Sequence, residues 1–370
     1  MPNYRKTYFD PATLADFALV PASPAEPAAA AAAAVPGDPA PGGAARAAPA
    51  PREDWAYQAA TTPTSRAEVF VFMQEAVLAL NVALATGRPL LVSGEPGGGK
   101  TSLALRAAAA LGRSFYRQTI TSRTQVTDLL SAFDAVARLG DAQRLVEKPN
   151  QAYLTPGALW WALSPGTAAQ RGLAPLPGTP LLADPDRSSH ADGALLLLDE
   201  IDKADPDIPN DLLEVLDERK FTIPETGEEI RQTRNKLLIV LTTNDERELP
   251  QAFLRRCVTL ELPGPPHAAW LVDIARRRYP PTRSSGQSKA AATAEAKAWV
   301  GLYARVADEL MSRRETARIT GRRKPSTSEF LDAVRACREL AQGGALASDP
   351  DLQHLLDSVL VKDRAAPSGR

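Results

Sequence analysis

Gly94-Glu95-Pro96-Gly97-Gly98-Gly99-Lys100-Thr101 lies between the apolar run Pro89-Leu90-Leu91-Val92-Ser93 and a helix-forming stretch from Thr101 to Leu111. Backbone N–H groups can converge on phosphate oxygens only where residues tolerate positive φ and carry no obstructing side chain, and Gly94, Gly97, Gly98 and Gly99 supply that freedom. In this arrangement Lys100 neutralises the β and γ oxygens, and Thr101 offers its hydroxyl to Mg²⁺. The helix that opens at Thr101 and Ser102 turns its positive end toward the ligand. The apolar run reads as a buried parallel strand, so the context is strand, loop, helix. The octapeptide with Ser102, including Glu95 and Pro96, is therefore a cradle for a nucleoside triphosphate.

Working outward, the chain has 370 residues, of which 44% are apolar, enough for a substantial core and about two domains. A net charge of -1 from 43 basic and 44 acidic residues gives no overall pull toward nucleic acid or an anionic membrane. Cys257 and Cys337 are far apart, and His190, His267 and His354 stand away from them, which argues for a reducing compartment without structural zinc. Residues 1–20 lack the apolar stretch of a signal peptide, and no later run approaches the ~20 residues of a membrane span. The expectation is a cytoplasmic protein that does not enter the membrane.

Residues 1–20 form a short segment carrying Tyr4, Tyr8, Phe9, Phe17 and Leu19. Residues 21–54 are almost entirely alanine and proline and read as a disordered tether, since they offer too little bulky apolar surface to offset chain entropy. From residue 55 to 263 strand-like runs alternate with helical segments, which predicts a parallel-sheet α/β domain. The strands are expected near Leu90, at Phe115–Thr121, Ala194–Leu198, Leu237–Thr243 and Val258–Leu262. From 264 to 365 the pattern is helical only, which predicts a second, all-helical domain.

Leu195-Leu196-Leu197-Leu198-Asp199-Glu200 sets two carboxylates at the C-terminal end of a buried strand, where ligands sit in open α/β sheets. This is a Walker B pattern. Asp199 is expected to hold Mg²⁺, largely through water, and Glu200 to polarise the attacking water. The strand ending in Thr242-Thr243 places Asn244 as a candidate sensor of the γ-phosphate. Leu249 to Cys257 reads as a short helix ending in Arg255 and Arg256, whose planar, permanent charge suits a transferred phosphoryl group. They cannot easily fold back onto their own phosphate loop, which places them at an adjacent subunit's nucleotide.

With these motifs assembled, the chain resembles the AAA+ ATPases, and within them the MoxR-like group. The resemblance covers about Ser65 to Cys337 and rests on the phosphate loop, Leu198 to Ala204, Pro209 to Glu214, Thr243-Asn244 and Leu249 to Cys257. It implies a P-loop core with a helical lid. It also implies an Mg²⁺-dependent ATPase assembled as a ring, hexameric in the usual case, with sites between subunits. Arg256 best fits the arginine-finger position, with Arg255 its neighbour or substitute. A basic sensor near the start of a late lid helix falls on Arg323 or Lys324. The group also carries a helical insertion, expected here at about 131–164, whose Trp160-Trp161 either packs inside the insertion or projects one ring outward.

Three function classes follow: remodelling of a partner protein, the group's habitual von Willebrand-type proteins included; an assembly switch in a bacterial conflict system; or a DNA motor or clamp loader. Near-neutral charge speaks against the last, although Arg313, Arg314, Arg318, Arg322, Arg323 and Lys324 form a basic cluster.

Overall fold

Consecutive apolar positions in the sequence become strands buried on both faces, because a sheet covered by helices on each side leaves no wet face to alternate against. The structure, a computed structural model, describes residues 72–170, 193–205, 208–233, 236–280, 288–340 and 349–360. The segment 1–20, the tether 21–54 and the first part of the nucleotide domain lie outside the described residues.

Helix α1 (Gln74–Thr86) ends at Gly87, at φ 69°, and leads into β1 (Leu90–Gly94). The phosphate loop follows and opens α2 (Lys100–Ala110), succeeded by β2 (Ser114–Thr119) and α3 (Val126–Leu130). Next come β3 (Ser131–Phe133), α4 (Ala135–Gln143), β4 (Leu154–Pro156), α5 (Ala158–Leu163) and α6 (Pro165–Ala169). Then β5 (Gly193–Asp199), α7 (Ile208–Glu218), β6 (Lys220–Thr222) and β7 (Glu229–Arg231) lead to β8 (Lys236–Thr242), α8 (Gln251–Leu254) and β9 (Val258–Leu262). Helices α9 (Ala268–Arg278), α10 (Lys289–Thr320), α11 (Thr327–Leu340) and α12 (Asp349–Leu360) form the lid.

The five-stranded sheet has the order β2-β5-β8-β1-β9, and every neighbouring pair is parallel. The chain leaves the inner strand β1 for the edge strand β2, so a crevice opens at the carboxyl end of β1. Register brings the functional strand ends level: Leu198 lies beside Leu241, Asp199 beside Thr119, and Val92 beside Thr242.

Alternate residues of each strand feed two apolar layers. Leu90, Val92, Leu195, Leu197, Leu238 and Val240 pack toward α1 and α2. Leu91, Leu196, Leu198, Ile239 and Leu241 pack on the opposite face with α5 and α7. The lid has its own core around Leu271, Tyr303, Val306, Phe330, Val334 and Leu356.

Residues 131–164 pair β3 with β4 as an antiparallel ribbon beside their helices. Trp160 and Trp161 are both buried, at 0% and 6% exposure, and belong to the core of the sheet rather than to a separate small core or an outward-facing surface. The reason is that the short α5 is enclosed on all sides, so adjacent positions are both inside. Trp160 meets Phe221 edge to face at 6.1 Å, and its indole N–H donates to Thr167 Oγ1 at 2.8 Å.

Candidate nucleotide-binding site

The turn from β1 into α2 is built by glycines that no other residue replaces cheaply. Gly94 (φ 139°) lies so close to the Leu262 carbonyl that a Cβ would collide with backbone. Gly97 (φ 74°) faces the Ser326 and Ser328 hydroxyls at the start of α11, and Gly99 (φ 94°) caps α2. The loop thus folds tightly enough for α11 to rest on it, and the Ser328 N–H donates to the Gly97 carbonyl at 3.3 Å.

Lys100 is 7% exposed, and its Nζ donates to the Gly94 carbonyl at 2.6 Å, the Glu95 carbonyl at 3.1 Å and Asn244 Oδ1 at 2.8 Å. Burial pushes its pKa below the ordinary lysine value, and the charges of Asp202, Asp199, Asp245 and Glu200 oppose that shift without cancelling it. Thr101 Oγ1 donates to Asp199 Oδ2 at 3.1 Å, and Thr242 Oγ1 donates to Asp199 Oδ1 at 2.6 Å. Phosphate loop, β5 and β8 therefore meet on one carboxylate.

Glu200 follows directly, held at φ 64° in the left-handed region that non-glycine residues seldom occupy and that clusters at functional sites. Its N–H donates to Thr242 Oγ1 at 2.9 Å, and its carboxylate pairs with Lys203 at 2.7 Å. Asp202, 2% exposed, accepts the N–H groups of Asn244 at 3.0 Å and Glu246 at 3.1 Å. It thereby fixes the turn that presents Asn244.

Gly97, Gly98, Gly99, Lys100, Thr101, Asp199, Glu200 and Asn244 line a cleft of about 360 Å³ together with Pro96, Ser102 and Arg117. Its other wall is apolar, made by Met73, Leu262, Pro263, Trp270, Ile274 and Leu331, and Thr327 and Ser328 close it from the lid. A polyanion at the loop with a flat apolar group against Trp270 fits this division. The donor set also suits hydrated Mg²⁺, which takes one or two carboxylate or hydroxyl oxygens and keeps its waters. No cage of three or more His, Cys, Asp or Glu side chains is present among the described residues.

Six candidates lie outside the cleft lining: Gly94 and Glu95 of the loop itself, and Arg255, Arg256, Arg323 and Lys324. Arg255 and Arg256 follow α8, and Arg256 Nε donates to Asp217 Oδ2 of α7 at 2.8 Å, both side chains being about half exposed. Arg323 pairs with Glu329 at 2.8 Å, and Lys324 lies 3.4 Å from Glu95. The lid cation held deepest against the phosphate loop is Arg314 of α10, 2.9 Å from Glu95 with 11% of its side chain exposed. Burial pushes the Glu95 carboxyl up, yet its bonds and charge contacts to Arg314 and Lys324 outweigh that and hold it below the ordinary value.

Much of the basic cluster is likewise spent on carboxylates, Arg313 on Glu309 and Asp357, and Arg318 on Glu315. That leaves little of it to meet phosphates of a nucleic acid. Sequence reasoning missed Arg117, Thr242 and Arg314. An arginine close to the C-terminal end of β2 was the one signal for Arg117; for the other two no local pattern exists.

Residues 89–257 match the family model described as AAA domain (dynein-related subfamily). Among curated proteins, the peroxisomal Lon protease homolog 2 of Spinacia oleracea is 29% identical over 185 residues, 49% of this chain and 17% of that protein. The match spans less than a fifth of that relative's length. Among solved structures, NtrX from Brucella abortus in complex with ADP aligns with a TM-score of 0.40 at 14% identity, over 76% of this chain and 54% of that one. The family match supports an AAA+ ATPase core, and the architecture is a P-loop α/β sheet followed by a helical lid.

Proposed function

We propose that this chain is a MoxR-like AAA+ ATPase that binds ATP with Mg²⁺ in the cleft between phosphate loop and lid. It hydrolyses the ATP in an oligomeric, hexameric ring and uses the cycle to remodel or regulate a partner protein, a von Willebrand-type protein being the partner class to test first. The observation that carries this reading is the convergence of Lys100, Thr101, Asp199, Glu200 and Asn244, drawn from three strand ends, on one cleft lined by the lid.

Thr101 and Asp199 would hold Mg²⁺ largely through water, and the ion would supply charge neutralisation of the β and γ oxygens. Lys100 neutralises the same phosphates, and its bond to Asn244 sets that amide beside the γ-phosphate, where it reports whether the phosphate is present. Glu200 accepts a proton from the attacking water, for which its bond to Lys203 has to open. The Trp270 wall receives the base. Arg256, with Arg255 beside it, serves the nucleotide of the next subunit, and Asp217 keeps its guanidinium extended until that subunit docks.

The site of action in this reading is cytoplasmic; no helix among the described residues is long and apolar enough to cross a membrane. The direct test is ATP turnover and ATP-dependent assembly of the purified chain. Absence of both, with the chain folded and Mg²⁺ supplied, would overturn the reading.

A further inference from the structure

Arg117 is a second cation in the cleft, and it is spent on the carboxylate assigned to the metal. It stands on β2, two residues before the strand end, and lines the cleft with Lys100, Asp199 and Glu200. Its Nη2 donates to Asp199 Oδ2 at 2.6 Å, the same oxygen that receives the Thr101 hydroxyl at 3.1 Å, while Thr242 holds Oδ1 at 2.6 Å. Protein donors thus occupy both oxygens of Asp199. The two partners differ in freedom: the Asp199 side chain is 7% exposed and pinned by Thr242, whereas that of Arg117 is 49% exposed. When the pair parts, Arg117 is the member that moves.

A guanidinium stays charged at any workable pH, so it leaves a carboxylate by displacement and not by titration. It also cannot share that oxygen with a divalent cation and its waters, because two positive groups a few ångströms apart repel and compete for the same lone pairs. The natural destination for the displaced charge is an anion in the same cleft.

We propose that Arg117 competes with the divalent cation for Asp199, so that the metal loads there only together with a polyphosphate that takes up the guanidinium. Metal and nucleotide then enter as a unit, and free Mg²⁺ alone binds poorly. This rests on the assignment of Thr101 and Asp199 under the proposed function. In this scheme Arg117 acts on the metal through Asp199 and on the polyphosphate directly.

The test is Mn²⁺ binding to the full chain, followed by the electron paramagnetic resonance of free Mn²⁺, first without nucleotide. Arg117→Gln is expected to bind Mn²⁺ roughly two- to fivefold more tightly than the unaltered chain, the scale of one partly exposed ion pair, while Arg117→Lys stays near it. Adding Asp199→Asn to Arg117→Gln is expected to erase the gain. A Gln variant within twofold of the unaltered chain, or a Lys variant that gains as much as the Gln variant, overturns the proposal. Should Arg117→Gln fail to fold, Arg117→Met serves the same comparison. A separate titration of the unaltered chain with a non-hydrolysable ATP analogue keeps the two readings apart. Failure to bind the analogue sinks the nucleotide site, whereas binding with no effect of Arg117 on Mn²⁺ sinks only this inference.

Discussion

Lys100 and Glu200 carry opposite burdens within one site. Lys100 is buried, satisfied by two carbonyls and one amide, and surrounded by carboxylates that favour its charge. Removing it leaves those acceptors unpaired and the phosphates unneutralised, so Lys100→Ala is expected to weaken ATP binding on the order of a hundredfold, the worth of a charge-assisted buried contact. Titration with a fluorescent nucleotide measures this, and affinity within threefold of the unaltered chain would remove Lys100 from the phosphate site. Glu200 is only partly buried and touches Lys203 instead of the loop. Glu200→Gln is therefore expected to bind ATP normally while turnover falls about 10²- to 10⁴-fold, the usual worth of a general base. Brisk turnover in that variant would move the base elsewhere. Both residues were legible from local pattern, because each belongs to a contiguous motif. Thr242 and Arg117 were not, since their value lies in reaching Asp199 from other strands.

At the scale of elements, the phosphate loop and α11 form one joint. Gly97 lies under Ser326 and Ser328, and Glu95 is gripped by Arg314 and Lys324. Gly97→Ala puts a methyl into those hydroxyls at a φ of 74°, so a stability loss of about 1 kcal/mol or more is expected, together with weaker nucleotide binding. Chemical denaturation beside nucleotide titration checks both, and an unchanged midpoint would show that the joint yields freely. The Glu95 carboxyl is held below its ordinary value of 4.5, so its contribution is complete above that pH and is lost as pH falls through the lowered value. Exchange protection of the Ser328 N–H should therefore stay level from neutral pH down to about 5 and decline only in more acid solution. Protection that falls already near neutrality would assign the joint to another group. At the head of α11, Ser326 N–H donates to Glu329 Oε2 at 2.7 Å and Glu329 N–H to Ser326 Oγ at 3.4 Å, a cap of residues three apart in sequence that presses on a glycine far away in the chain.

For the whole molecule, the cleft has two walls from one chain, while the Arg255-Arg256 pair stands outside it beside Asp217. If the pair acts on the neighbour's nucleotide, Arg256→Ala alone is expected to bind ATP yet turn over about 10³-fold or more slowly. Mixed with Lys100→Ala, which lacks nucleotide but keeps its arginines, it should regain measurable turnover. Mixtures no more active than either component alone would place the arginines outside catalysis. By itself, the sequence determined the parallel α/β core, the helical lid and the places of the contiguous motifs at strand ends, because strand burial, loop geometry and helix caps are written in neighbouring residues. Only the tertiary structure decided that both tryptophans are interior, that Arg314 rather than Arg323 or Lys324 lies deepest against the phosphate loop, and that Arg117 claims Asp199. Those contacts join residues distant in the chain, and their partners are set by strand order and helix packing, which no local spacing encodes.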